Sequence, residues 1–292
     1  MENRCGGLLA KTTAMHTQIF YFFFCTMIFS CCSNQSATIK KADTISLQKP
    51  ITSIREIPLP PGFSLIACSD VAYTNWLLDL KFKNDKTVFL YNGQKKQNQF
   101  VQYAVLDIDI GKKDLLQCAD AAIKLKADFL YTKKRYPELN FIATSGDTIS
   151  YEGWKNGKRW KEKNGRLVTY SLAASVNNSA AGYNAFMEYV FSYCGTYSLC
   201  RQLGAVAAVD SVLPGDIFIE GGFPGHAISV MAVAANNRGE KLVLLSQGFM
   251  PAQDIHLLKN YADSRLSPWF KMEKNKTINT PEWVFEASDL KR

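Results

Sequence analysis

The chain reads as an α+β protein, with a central antiparallel sheet built mostly from C-terminal strands and packed on two long helices. Three observations predict this. Apolar runs of strand length follow one another at residues 216–220, 226–234 and 241–247, separated by turn-rich stretches. Residues 114–134 place Cys118, Ala122, Leu125 and Phe129 on one helical stripe. A second helical run, 181–203, carries Tyr183, Phe186, Tyr189, Val190 and Tyr193. Nothing after Pro50 resembles a linker, so residues 51–292 form one domain.

The elements follow in order. Residues 51–57 predict a strand that ends at Pro58, and 63–67 a second one. Ser69 is placed to cap a helix over 70–80. Strands are expected at 87–91 and 103–110. Asp114, with Gln117 three positions on, makes a capping box for the Cys118 helix, which stops before Pro137. The polar region 145–171 contains Gly146, Asn156-Gly157 and Asn164-Gly165, the marks of hairpins. The tail beyond Pro251 is rich in loops, with Trp269 and Trp283 as anchors.

The N-terminus is read as an export signal. Arg4 and Lys11 form a basic start, and 19–29 is an apolar run too short to span a bilayer comfortably. Ser30-Cys31 resembles a bacterial lipobox, whose cysteine is diacylated. Residues 1–31 are therefore expected to be a lipoprotein signal and 32–50 a polar tether. A cell-envelope lipoprotein follows, anchored to the membrane through Cys31. The net charge of +8 would otherwise suggest nucleic acid. In an exported chain it points instead to an anionic envelope polymer or to plain solubility.

Of eight cysteines, Cys5, Cys25 and Cys31 fall in the leader and Cys32 in the tether, leaving four in the folded part: Cys68, Cys118, Cys194 and Cys200. Cys194 and Cys200 face different directions on one continuous helix and pair only if it breaks at Gly195. There is no C-x-x-C, so no structural zinc site is expected. The only metal arrangement to weigh is His226, His256 and Asp254. No metal and no cofactor are assigned.

The chemistry centres on one scarce residue. His226 is one of three histidines and opens a strand behind Gly221, Gly222, Pro224 and Gly225. An imidazole can take the proton of a thiol, and a thiol at a helix start is favoured as thiolate. Cys118 as nucleophile, His226 as base and Gln247 as the group that orients the ring are the parts of a papain-like cysteine hydrolase. Gln117 and a backbone N–H near Cys118 would hold the oxyanion. Asp216, after Pro214-Gly215, reads as a turn-stabilising carboxylate. Gln253, Asp254 and His256 form a second polar cluster, with Asp254 and His256 on one face of a strand. Trp154 and Trp160, interleaved with basic residues, are candidate faces for a sugar or polymer; the alternative is a solvated hairpin that the two tryptophans pin to the core. Gly222 and Gly225 would let backbone approach a ligand.

The segment PGDIFIEGGFPGHAISV resembles the NlpC/P60 and CHAP cell-wall hydrolases, in which a PGD-type turn precedes a strand opening with the catalytic histidine. That resemblance implies a papain-like fold with an N-terminal extension and inserted hairpins. It also implies hydrolysis of amide bonds in peptidoglycan or another envelope glycan or peptide. The chain departs from those families in the long separation of Cys118 from His226 and in the LLQCADAA context of the cysteine. CADAAIKLKADFLY, the GD-I-F-I-x-GG-x-PGHA segment and SQGFMPAQDIHLLKN resemble a bacterial family, domain of unknown function 4846, over residues 55–290. Its members are secreted proteins and lipoproteins, mainly of Bacteroidetes. This implies export and no particular chemistry. The alternative to an enzyme is a non-catalytic module binding an envelope glycan or peptide.

Overall fold

The computed structural model describes residues 50–172 and 178–292. Cys31, the signal and the tether lie outside these residues. No helix among the described residues is long and apolar enough to cross a membrane.

The fold is mixed α and β. Five helices are described: α1 (Val71–Asp79), α2 (Cys118–Thr132), α3 (Tyr151–Lys155), α4 (Ala180–Tyr193) and α5 (Thr196–Gln202). The main sheet has eight strands: β1 (Phe63–Ile66), β2 (Gln102–Val105), β7 (Ile217–Glu220), β8 (His226–Asn236), β9 (Lys241–Gln247), β10 (His256–Leu258), β11 (Phe270–Met272) and the C-terminal Leu290–Lys291. Its path runs C-terminal strand, β7, β8, β9, β10, β2, with antiparallel pairing throughout. Three hairpins stand apart, β3 (Asn140–Ile142) with β4 (Thr148–Ser150), β5 (Lys158–Lys163) with β6 (Arg166–Ser171), and β12 (Ile278–Asn279) with β13 (Val284–Phe285).

β8 is the spine. Nine of its eleven residues are buried, because both faces of the strand are covered. Ala227, Ala232 and Ala234 face the core beneath the helices, while Ile228, Val230 and Val233 face a second core. A register shift between Val230 and Ala232 moves the alternation by one residue. The small alanines let α2 lie close, and Ala119 and Ala122 answer them from the helix.

Several expected elements differ. Residues 51–57 do not form a strand; Ile54–Glu56 is a 3-10 turn, closed by the Glu56 carboxylate accepting from the Thr52 N–H and hydroxyl. The expected strand at 87–91 is reduced to the isolated bridges Phe89–Lys95 and Leu90–Gln253. The capping box of α2 starts three residues later than predicted. Gln117 is the N-cap and its N–H is taken by Asp120, while Asp114 binds the Ala252 N–H and Gln117 Nε2.

The helix expected over 181–203 breaks at Cys194-Gly195, where Ser198 Oγ accepts the Gly195 N–H. Even so, Cys194 and Cys200 are free thiols, as are Cys68 and Cys118. Trp154 and Trp160 point inward rather than toward a ligand: they are 8 % and 3 % exposed. Trp154 Nε1 donates to the Gly182 carbonyl. Their faces are taken up by packing and cannot stack on a sugar.

Candidate functional site

Where β8 begins and β9 ends, polar side chains gather on the second-core face. His226 Nε2 lies 3.0 Å from Gln247 Oε1. Gln247 Nε2 donates to Glu282 Oε2 at 2.6 Å and lies 3.3 Å from His256 Nε2. Glu282 is also paired with Lys96 at 2.6 Å. His256 Nδ1 is 2.8 Å from the Asp254 carbonyl, a bond in which the ring donates. The pairing explains the convergence. Gln247 and His256 are direct partners across β9 and β10, so their side chains leave the sheet on one face.

Aromatic rings wall this network. Phe249, Trp283 and Phe285 lie 4.9, 5.3 and 5.9 Å from the His226 ring, centroid to centroid. Trp283 Nε1 is held by Glu220, and the Lys96 ammonium sits over Phe249. His226 and His256 are 1 % and 0 % exposed. Burial drives their pKa values down to about 4 and about 3, so both are neutral at pH 7.

Cys118 occupies the first position of α2. Gly248, directly after β9, makes its seat possible. A Cβ there would meet the Gln117 carbonyl at 2.9 Å and Ala121 Cβ at 3.1 Å, so only glycine lets the strand end press on the first turn of the helix. The thiol is 8 % exposed, and burial raises its pKa. The N–H groups of Ala227, Ala119 and Cys118 itself act the other way and favour the thiolate. Ala227 follows His226, so the sulfur is seated against the peptide that joins the two. Among the described residues no hydrogen bond links the thiol to the His226 ring. At rest the thiol and the His226 imidazole are both neutral.

Asp120 lies in the first turn of this helix with its carboxyl buried. Its pKa is pushed up to about 8, and Oδ1 has no hydrogen-bond partner. Its charge acts on both Cys118 and Cys194.

The remaining predicted residues separate. Asp254 does not line this site with its carboxylate, which binds Lys83 Nζ and the Phe89 N–H. The donors His226, His256 and Asp254 therefore do not converge on a metal. Gln253 is buried at the Leu90 bridge. Gly225 is closed in by protein: a Cβ would meet Gly222 O, Thr196 Oγ1 and Glu220 O at 2.6–2.8 Å. Gly222 has φ +147°, a conformation that favours glycine. Asp216 stabilises its turn by accepting the Leu213 N–H and is bound by Arg292.

Sequence reasoning missed Glu282, Lys96, Phe249 and Trp283. Phe249 alone carried a signal, since two residues after Gln247 it shares that residue's face. Glu282 and Lys96 are brought in by loops whose course no periodicity reveals.

Beside the loop before His226 lies a groove of about 480 Å³. Thr144, Ser145, Tyr193, Thr196, Tyr197 and Phe223 line it, and Glu162 is the only charged residue there. Phe223 is 97 % exposed.

No curated protein and no solved structure matches this chain. The sequence profile of one family matches residues 54–292, from the first turn of the fold to its last residue. By that match the chain belongs to the family described as domain of unknown function (4846).

Proposed function

We propose that this protein is an exported cysteine hydrolase of papain-like layout, acting on amide bonds of the cell envelope and tethered there through a lipid on Cys31. One observation carries the reading. A helix-start thiol, faced by three backbone N–H groups, is seated against the peptide joining Ala227 to a neutral histidine that an amide side chain orients.

The chemistry follows from these groups. As a substrate carbonyl approaches, His226 Nδ1 takes the proton from Cys118, and the sulfur attacks the carbonyl carbon. The N–H groups at the start of α2 receive the developing oxyanion. Gln117 Nε2 is oriented by Asp114 and keeps a second N–H for the same purpose. His226 returns the proton to the leaving amine, and water then hydrolyses the thioester. The groove supplies hydroxyls and the exposed faces of Phe223 and Tyr197, which suit a neutral or amine-bearing peptide or glycan-linked peptide better than an anionic polymer.

The test is release of free amines from purified peptidoglycan fragments by the wild-type protein and by Cys118→Ala. Activity is expected to fall by at least about 10³-fold with an unchanged thermal melt. A fully active Cys118→Ala overturns the proposal. The burial of Cys118 favours the second reading, a binding module without turnover. Fragments that bind but are never cleaved, together with a thiol inert to iodoacetamide at neutral pH, would establish that reading.

A further inference from the structure

We propose that Glu282 is the positioning residue of this site, fixing through Gln247 which nitrogen of His226 carries the proton. The consequence for reactivity rests on the function proposed above; the tautomer itself does not. A glutamine side chain presents either its oxygen or its nitrogen to a neighbour, and both forms have nearly the same shape. Gln247 alone therefore leaves the His226 tautomer open.

Glu282 removes the ambiguity. A carboxylate only accepts, and Lys96 at 2.6 Å supplies its counter-charge. The Gln247 atom 2.6 Å from it must then be the amide nitrogen. The second amide hydrogen points to His256 Nε2 at 3.3 Å. That nitrogen is an acceptor, because His256 Nδ1 donates to the Asp254 carbonyl. Both amide hydrogens are committed, and only Oε1 is left for His226. His226 Nε2 must donate to it, which leaves Nδ1 with a lone pair. A thiol needs that lone pair as its proton acceptor. The His256 contact is the longer and weaker of the two anchors, so the short bond to the carboxylate is decisive.

Nitrogen NMR of the purified protein at pH 7 reads the tautomer directly. The wild type is expected to show a protonated Nε2 and an unprotonated Nδ1 at His226. In Glu282→Gln, which keeps the shape but can turn either end to Gln247, both tautomers are expected. Iodoacetamide labelling of Cys118 should then slow in proportion to the lost Nε2–H population, about twofold for an equal mixture. The His256 Nδ1–H signal, expected unchanged, reports that the fold is intact. A wild-type His226 protonated at Nδ1 overturns the proposal without any variant. A Glu282→Gln protein that keeps a single Nε2–H form overturns it too. If the tautomers behave as stated while Cys118 is inert in every form, the positioning role stands and the hydrolase reading falls.

Discussion

Two buried polar clusters in this molecule differ in whether their hydrogen-bonding capacity is used up. Asp216 is 1 % exposed, and both its oxygens are bound, Oδ1 by Arg292 Nε at 2.6 Å and Oδ2 by Arg292 Nη2 and the Leu213 N–H. This pair ties the last residue of the chain to the turn before β7 and has nothing left to offer a ligand. His226, Gln247 and His256 are equally buried, with Glu282 partly exposed beside them, yet their cluster ends on a ring nitrogen with no hydrogen-bond partner among the described residues. Burial and hydrogen bonding alone therefore do not mark a functional site. What sets this cluster apart is an unused lone pair on the residue next to Ala227, whose N–H seats the Cys118 sulfur.

Substitutions in the two clusters should separate stability from reactivity. Gln247→Ala is expected to slow iodoacetamide labelling of Cys118 by about 10- to 100-fold, since the ring loses its orienting partner. The stability cost is smaller, about 1–2 kcal/mol in urea denaturation. Arg292→Ala should do the reverse. It leaves a buried carboxylate unpaired, at about 3 kcal/mol, the low end for buried pairs because the guanidinium is half exposed. Labelling of Cys118 should not change. Equal labelling in both variants would erase the contrast.

The pH dependence of stability sharpens the same comparison. His226 and His256 have folded pKa values of about 4 and about 3, below the ordinary 6.5. Between pH 6.5 and 4 the unfolded chain binds two protons there that the folded chain refuses, so stability falls as pH falls. Asp120 works the other way. Its folded pKa of about 8 lies above the usual 3.8, so its contribution is present at low pH and lost as pH rises toward 8. The net difference is one proton on each side. Urea denaturation at a series of pH values should show a maximum near pH 6.5, with slopes of about 1.4 kcal/mol per unit on both limbs. A flat profile from pH 4.5 to 6.5 would mean that the two histidines are not neutral in the fold.

The smallest expected effect is at the groove. Phe223→Ser should change stability by less than about 0.5 kcal/mol, because the ring is exposed. It should raise KM for a cleaved fragment without lowering kcat.

The strands were the most legible part of the sequence. The run at 241–247 coincides with β9, and β8 opens at His226 as its glycine-rich approach suggested. These segments carry long apolar runs bounded by turn residues, and the sheet buries them as such. The second long helix was legible as a pattern but not in its break, since an aromatic stripe continues through Gly195 whatever the backbone does there. The sequence left the two tryptophans open between a ligand face and pins to the core, because the basic residues around them are exposed; both indoles turn inward, Trp154 from α3 and Trp160 from β5.

By itself the sequence determined the mixed α and β character, the strands around His226, the placement of Cys118 in the first turn of its helix and the pairing of His226 with Gln247. Each follows from local periodicity or from a short stretch of neighbouring strand. Only the tertiary structure decided that Gly248 draws the helix start onto the strand end, and that Lys96 and Glu282, 186 residues apart, meet beside Gln247. Those contacts depend on how loops close over the sheet. That closure is set by packing and charge between distant segments, which no local pattern encodes.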